Sequence, residues 1–213
     1  MRLPTNEQRL SLELLVSQSQ RDLAADTAAQ DYLTKRGFSE QVATAWRLGL
    51  VTSPPVGFER YTGRLCIPYL TPAGVVNARF RCLRQHSCSE AGHGKYVGLE
   101  GFETSLFNVL DLGKPSDAIC VTEGELDAIT LSMCGIPAVA VPGATNWKKH
   151  FGRCLDDFSR VFVLGDPDDA GKGLNKRLIN DVRAIPVRMP KGKDCNDVFR
   201  ESGAEGLRKL IAG

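Results

Sequence analysis

The chain has 213 residues, 42% of them apolar and 24% charged, and this composition excludes disordered, collagen-like and coiled-coil proteins. Lys and Arg number 27 against 25 Asp and Glu, so the net charge of +2 also excludes a histone-like or polybasic protein. A chain of this length forms one domain or two small ones.

The cysteines and the N-terminus predict where the protein resides. The seven cysteines are odd in number and show no disulfide spacing of a small secreted domain. The first residues lack the apolar centre of a secretory leader, and no apolar run approaches the roughly 18 residues of a membrane span. We therefore expect free thiols, a cytoplasmic location and no membrane partner. The chain is also expected to be a monomer.

Helices are predicted at the start of the chain. An amphipathic helix is predicted over residues 6–22, followed by a second helix over 28–35. Ser39 is a suitable N-cap for a third. The apolar face of the first helix is predicted from three leucines: Leu10, Leu14 and Leu15.

A hairpin is predicted next. Residues 64–70 and 75–81 alternate apolar and polar side chains, and the segment 71–74 between them is rich in turn-forming residues. This half of the chain is therefore expected to contain an antiparallel sheet.

Beyond residue 113 the pattern changes to short apolar strands that alternate with helices. The predicted strands are 118–121, 138–141, 160–164 and 185–189, and the predicted helices are 126–133 and 174–182. This alternation is typical of a parallel α/β sheet. We predict an α/β protein with a mixed α+β subdomain (1–113) followed by a subdomain with a parallel sheet and flanking helices (114–213).

Acidic residues follow three of these strands. Glu123 follows the first, Asp166 and Asp168 follow the third, and Asp194 and Asp197 follow the fourth. The carboxyl ends of parallel strands share one edge of a sheet, so these acids are expected to converge there. Carboxylate oxygens are ligands that Mg²⁺ prefers, and such ions assist phosphoryl transfer. Each acid taken alone could instead be a helix N-cap or a solvated loop residue.

Two segments that carry these acids resemble the Toprim signature, in which a Glu follows one strand and Asp-x-Asp follows another. They are VTEGELDA (121–128) and VLGDPDDAG (163–171). Asp127 lies one helical turn after Glu123, where it either supports the same site or is a solvated helix acid.

The first half narrows the resemblance. The segments YLTKRGFS (32–39), GRLCIP (63–68) and GKYV (94–97) make residues 28–205 similar to the catalytic core of DnaG-type DNA primases. This resemblance implies a mixed subdomain beside a Toprim Rossmann-like sheet, with a single-stranded template in a basic groove between them. It also implies a bacterial cell as the location, and a phage-encoded or split core that lacks the family's zinc ribbon and helicase-contacting domain.

The resemblance further implies roles for individual acids. Glu123, Asp166 and Asp168 would be catalytic and would bind Mg²⁺ or Mn²⁺. Further acidic members of the metal site would be Asp127, Asp194 and Asp197.

Basic residues concentrate in the predicted hairpin. Arg81 and Lys95 match basic positions that the primase family uses near nucleotide and template. Further candidates for phosphate contacts are Arg64, Arg79 and Lys172. The alternative is that strand arginines project into solvent. Three aromatic residues of this half could stack bases or belong to the core: Tyr61, Phe80 and Tyr96.

Two cysteines and two histidines follow the hairpin. Cys82, His86, Cys88 and His93 supply the sulfur and nitrogen atoms that tetrahedral Zn²⁺ accepts. Their spacing fits no familiar zinc finger. We therefore interpret this segment as an inserted polar loop and do not expect zinc as a cofactor.

Together these features predict a DNA primase core, a nucleotidyltransferase that makes short RNA primers from NTPs on single-stranded DNA. The expected partners are the template, NTPs, and a replicative helicase or a separate zinc-ribbon polypeptide. Two alternatives remain open: a Toprim nuclease that acts on DNA or RNA, and a non-catalytic single-strand-binding or recombination-mediator protein.

Overall fold

The computed structural model describes residues 4–165 and 168–213, and the chain divides into two compact units, Met1–Glu103 and Thr104–Gly213. The division lies before the predicted boundary at residue 113 because the connecting segment packs on the second unit. Phe107 pairs with Ala140, and the carboxylate of Asp111 accepts a hydrogen bond from the Ala138 amide (3.0 Å).

Three helices open the first unit, as predicted. They are α1 (Asn6–Ala25), α2 (Thr27–Lys35) and α3 (Glu40–Ala45). Each begins at a capping side chain: the Thr5 hydroxyl accepts from the Gln8 amide, Asp26 caps α2, and the predicted Ser39 caps α3. These side chains satisfy amide groups that a helix leaves without intrahelical partners.

The predicted apolar face of α1 is wrong in part. Leu15 is fully buried, but the side chains of Leu10 and Leu14 are 68% and 63% exposed. The buried stripe of α1 is formed by Leu12, Leu15, Val16, Ser19 and Leu23. Ser19 is the small residue of this stripe, and it packs closely against the backbone of Gly49. A Cβ on Gly49 would lie 2.5 Å from the Ser19 Cβ. The close approach of a strand thus selects the face that contains Ser19.

The first unit contains a four-stranded antiparallel sheet. Its strands are β1 (Gly49–Leu50), β2 (Arg64–Thr71), β3 (Gly74–Cys82) and β4 (Tyr96–Gly98), in the order β1-β2-β3-β4. The predicted hairpin is therefore confirmed as β2 and β3. Helix α1 packs on this sheet, and the rings of Tyr61 and Phe80 stack in the core with centroids 3.9 Å apart.

The second unit contains a parallel sheet with helices, as predicted. Its strands are β5 (Ala118–Thr122), β6 (Ala138–Ala140), β7 (Arg160–Leu164) and β8 (Ile185–Pro186). Its helices are α4 (Glu125–Met133), α5 (Asp169–Val182) and α6 (Cys195–Ala212). The strand order is β6-β5-β7-β8, and all three pairings are parallel.

Two elements of this unit differ from the prediction. β8 ends at Pro186 instead of residue 189, because this edge strand contains a proline, which has no amide to donate to a ladder. Helix α6 was not predicted. Its sequence contains Gly203, which has φ +62° and interrupts the helical pattern.

The chain covers both faces of the parallel sheet. The connection from β5 leads outward to β6, whereas the connection from β7 leads outward to β8 on the other side. Because such crossovers are right-handed, α4 and α5 lie on opposite faces. Val121 and Val163 pack in one cluster with Leu174 and Leu178 of α5. No helix in the described part of the chain combines the length and hydropathy that a membrane span needs.

Candidate functional site

The strand order defines a binding edge in the second unit. β5 and β7 are neighbours, and their last residues, Thr122 and Leu164, are paired. The chain leaves these two strands in opposite directions, toward β6 and β8. Ligands of open α/β sheets bind at such a switch point, beyond the carboxyl ends of the strands. Glu123 and the loop that begins at Gly165 both start there.

Glu123 and Asp127 lie at the start of α4. Glu123 is half-buried directly after β5, and its carbonyl accepts from the Gly143 amide (3.4 Å) beyond β6. The Asp127 carboxylate lies against the backbone of Gly124, where a Cβ would meet its Oδ2 at 2.8 Å. Its Oδ1 accepts from the Asn196 amide (3.2 Å). Asp127 therefore connects the motif after β5 to the start of α6.

The loop between β7 and α5 is tightly packed at its first residue. The Gly165 amide donates to Oδ1 of Asn175 (3.1 Å). A Cβ on Gly165 would lie 2.4 Å from that oxygen and 2.6 Å from the Gly171 carbonyl oxygen, so only glycine fits. Asp168 is exposed and caps α5, because its Oδ1 accepts from the Gly171 amide (2.8 Å). Asp166 lies outside the described residues.

Asp194 and Asp197 form the N-terminal cap of α6. Oδ1 of Asp194 accepts from the Asp197 amide (2.7 Å), and Oδ2 of Asp197 accepts from the Asp194 amide (3.3 Å). Asp197 also lies 3.7 Å from the Arg200 guanidinium. Asp194 and Asp168 are therefore helix N-caps, and Asp197 completes the capping box of α6. Asp194 lies well beyond the end of β8, in contrast to the prediction that it lies just beyond the strand.

The acids at this edge suit an open Mg²⁺ site, and they do not form a site in which the protein supplies all the ligands. Within residues 4–165 and 168–213, the oxygens of Glu123, Asp127, Asp168, Asp194 and Asp197 form no compact ligand group. Mg²⁺ usually keeps several waters and takes one or two carboxylates together with substrate phosphates. Half-buried Glu123 and exposed Asp168 offer hard oxygen donors of that kind at the switch point.

Two polar residues beside this edge were missed in the sequence analysis. Glu125, in the first turn of α4, is only 1% exposed, and Asn196, in the first turn of α6, is equally buried. The side-chain amide of Asn196 donates to the Thr130 hydroxyl (3.0 Å). An acid in the first turn of a helix interacts favourably with the helix dipole, and this position was the available signal for Glu125.

Lys172 is already engaged by an acid of its own helix. Its Nζ lies 2.9 Å from Oδ1 of Asp169. This hydrogen bond and the ionic attraction hold the pKa of Asp169 below its ordinary value and raise the pKa of Lys172. A phosphate that binds Lys172 therefore competes with Asp169.

An arginine–tyrosine cluster occupies one face of the sheet in the first unit. Arg79 and Arg81 are two residues apart on β3, and their guanidinium carbons lie 5.1 and 5.0 Å from the centre of the Tyr96 ring. Arg81 also lies 5.8 Å from the Tyr32 ring centre and donates to the Tyr96 hydroxyl. Arg81 is 8% exposed, so the alternative that it projects into solvent is wrong.

The other candidates of this half differ in exposure. Arg64 donates to the Gly94 carbonyl (3.1 Å) at the base of the loop that precedes β4. Lys95, which follows Gly94, is exposed. Tyr61 and Phe80 are core residues, only 2% and 0% exposed, which excludes them as base-stacking platforms. Tyr96 is half-buried, and base stacking by its ring stays a prediction.

Comparisons with known proteins agree with this architecture. Residues 120–199 match the model of a Toprim-like family. The Gene 57 protein of Mycobacterium phage D29 is 37% identical over 155 residues, which cover 71% of this chain and 99% of that protein. The chain belongs to this phage family of Toprim proteins.

The Toprim protein is also homologous to bacterial primases. The DNA primase of Aquifex aeolicus is 31% identical over 112 residues, or 50% of this chain. The matched part spans only 22% of that primase's own length.

Solved structures show the fold of the DnaG-type core. The zinc-binding and RNA polymerase domains of Aquifex aeolicus primase match with a TM-score of 0.79 and 22% identity, over 98% of this chain and 62% of that one. The RNA polymerase domain of Mycobacterium tuberculosis DnaG matches with a TM-score of 0.79 and 21% identity, over 98% and 84% of the two chains. A DnaG catalytic domain bound to ssDNA matches with a TM-score of 0.75 and 20% identity, over 98% and 80%. The predicted fold class and the resemblance are both confirmed.

Proposed function

We propose that this Toprim protein is a catalytic core for RNA primer synthesis on single-stranded DNA. The observation that carries the proposal is the position of Glu123, Gly165 and Asp168, beyond the neighbouring strands β5 and β7 of a Toprim domain. In the proposed reaction a ribose 3′-hydroxyl attacks the α-phosphorus of an NTP. A new P–O bond forms between the 3′-oxygen and the α-phosphorus, and the bond from the α-phosphorus to the oxygen that bridges it to the β-phosphate breaks. The β- and γ-phosphates leave together as pyrophosphate.

Six acids of the second unit form the proposed metal site. Glu123, Asp166 and Asp168 are the proposed holders of Mg²⁺ or Mn²⁺, with Asp127, Asp194 and Asp197 as further acidic members. When bound, such ions make the attacking hydroxyl more acidic and stabilise charge on the leaving oxygen. Asp194 and Asp197 already hold the start of α6, so their contribution is to fix the backbone near Asp127.

The first unit offers groups suited to a template strand and nucleotide phosphates. Arg79 and Arg81 hold the Tyr96 ring, and an aromatic ring fixed in this way can stack on a base. Arg64 and exposed Lys95 supply positive charge for phosphates, with Lys172 of the second unit as a further candidate. NTPs, single-stranded DNA, and a helicase or zinc-ribbon polypeptide are the proposed partners.

The Glu123→Gln variant tests this function. Gln keeps the size of the side chain but removes the negative charge, so Mg²⁺-dependent primer synthesis is expected to fall at least about 10²-fold. The measurement is the initial rate of labelled oligoribonucleotide formation from NTPs on single-stranded DNA, alone and with a zinc-ribbon or helicase partner.

Glu205→Gln is the matched control, because Glu205 is an exposed glutamate on α6. Its rate should equal that of the unmodified protein. Absence of oligoribonucleotides from the unmodified protein in every reaction would overturn the proposal. Mg²⁺-dependent cleavage of labelled DNA or RNA without NTPs would instead assign a nuclease, and salt-dependent DNA binding without turnover would assign a binding module.

Lys95→Ala tests the template contact. Removing one phosphate contact to single-stranded DNA should lower the slope of log K against log salt concentration by about 0.7. Fluorescence anisotropy with a labelled oligonucleotide at several salt concentrations measures this slope. Lys209→Ala removes another exposed lysine, near the end of α6, and should leave the slope unchanged. Equal slopes for both variants would exclude Lys95 as a phosphate contact.

A further inference from the structure

The loop between β3 and β4 gathers four side chains of metal-ligand type. Cys82, His86, Cys88 and His93 each offer one sulfur or nitrogen atom, and these four atoms all lie within 4.8 Å of one another. The loop closes on itself, because the Cys82 amide donates to the Lys95 carbonyl (2.8 Å) where β3 ends. The sequence spacing alone did not predict this proximity.

Backbone hydrogen bonds bring the second half of the group together. The His93 amide donates to the Cys88 carbonyl (2.9 Å), and the Ala91 amide donates to the Ser87 carbonyl (3.0 Å). Gly92 has φ +73°, a conformation that favours glycine and lets the chain turn back there. Cys88 and His93 are therefore joined by the backbone itself.

The side-chain distances approach those of a tetrahedral site. Sγ of Cys82 lies 3.6 Å from Nε2 of His86. Ligand bonds of about 2.3 Å to sulfur and 2.0–2.1 Å to nitrogen in a tetrahedron place such a pair about 3.5 Å apart. The Cys82–His86 pair thus already has the required separation, and the rings of His86 and His93 are close, with centroids 4.9 Å apart.

His93 lies in a small network with Arg64 and Gly94. Its Nδ1 lies 3.1 Å from the Gly94 carbonyl oxygen and 3.2 Å from Nη2 of Arg64, which can only donate. Metal-bound histidines usually donate the proton of their second ring nitrogen to such a carbonyl, so zinc binding at Nε2 would place the proton on Nδ1 and leave Arg64 to the carbonyl alone. Arg64 donates to the same carbonyl and fixes its position.

We propose that Cys82, His86, Cys88 and His93 bind one Zn²⁺ in a structural site. Two thiolates and two neutral imidazoles are a donor set that selects zinc, whereas the carboxylates of the second unit suit Mg²⁺. Two thiolates also neutralise the charge of the ion. Four protein ligands leave no open position, so the metal holds the loop in place and takes no part in the reaction.

The expected consequence is an ordered loop. Bound zinc should restrain the backbone on both sides of the site, including Arg84 and Lys95. Both residues are exposed, and trypsin cleaves after arginine and lysine. Removal of the metal by a chelator should therefore accelerate trypsin cleavage after these two residues. Cleavage elsewhere in the chain should keep its rate.

Metal analysis of the full chain tests the proposal directly. Protein from cells grown in zinc-containing medium and purified without chelator should contain about one zinc per chain. Inductively coupled plasma mass spectrometry measures this content. Cys88→Ser and His93→Asn should each lose most of it. Cys154→Ser is the matched control, because Cys154 is an exposed cysteine of the second unit and should keep the full zinc content.

Co²⁺ provides an independent readout on the unmodified chain, so the result does not depend on the folding of any variant. Replacement of zinc by Co²⁺ should give the visible bands of tetrahedral cobalt and a thiolate charge-transfer band. Zinc below about a tenth of an equivalent together with no cobalt bands would overturn the proposal. The intact mass of the unmodified chain gives a further check. A mass two hydrogens below the calculated value, with no such deficit in the Cys88→Ser variant, would overturn the proposal in favour of a Cys82–Cys88 disulfide.

Discussion

Asp168→Asn is expected to lower primer synthesis at least about 10²-fold without loss of thermal stability. Asp168 has two roles in the proposed site: it caps α5 through the Gly171 amide (2.8 Å), and its negative charge serves the metal. Asn caps a helix about as well as Asp, so this substitution keeps the cap and removes the charge. The measurements are the initial rate of primer formation at several Mg²⁺ concentrations and the midpoint of thermal unfolding.

Two further variants separate the two roles of Asp168. Asp168→Ala removes both cap and charge, and should add a loss of about 1 kcal/mol in unfolding free energy to the same loss of activity. Asp26→Asn is the matched control, because Asp26 caps α2 of the first unit by the same hydrogen bond, to the Ala29 amide (2.8 Å), and is not a proposed metal ligand. Full activity of Asp168→Asn would show that Asp168 serves only as a cap.

The acids illustrate how far sequence alone leads to the site. The apolar runs predicted the parallel strands, and their carboxyl ends placed Glu123 and Asp168 at one edge, as the strand order confirms. A helix N-cap and a metal ligand both call for an acid just after a strand, so the pattern could not distinguish them. In the structure one oxygen of Asp194 and one oxygen of Asp197 accept from backbone amides, so both acids cap α6, and metal binding by them stays a prediction.

Long-range pairing explains what the sequence could not predict in the first unit. Cys82 and His93 are brought together by the ladder between β3 and β4 and by local turns, neither of which a spacing rule contains. Arg81 was predicted as a basic strand residue. Its burial between Tyr32 and Tyr96 depends on a helix and a strand that lie far apart in the sequence.

Leu15→Ala is expected to destabilise the first unit by about 2–5 kcal/mol, the cost of a cavity in a well-packed core. Leu15 is fully buried in the cluster that α1 forms with the antiparallel sheet, together with Val16 and Phe80. Urea denaturation followed by far-ultraviolet circular dichroism measures the change. The proposed metal ligands at the parallel sheet belong to the other unit. The substitution should therefore lower the free energy of unfolding and leave the Mg²⁺ dependence of the folded protein unchanged.

Leu14→Ala is the matched control for this prediction, one residue away in the same helix. Its side chain is 63% exposed, so the substitution removes little packing and should change the unfolding free energy by less than about 0.5 kcal/mol. The amphipathic pattern of the sequence assigns both leucines to one apolar face and predicts similar losses. Equal destabilisation by the two variants would therefore favour that pattern over the observed face, in which Ser19 packs against Gly49 and Leu14 points to solvent.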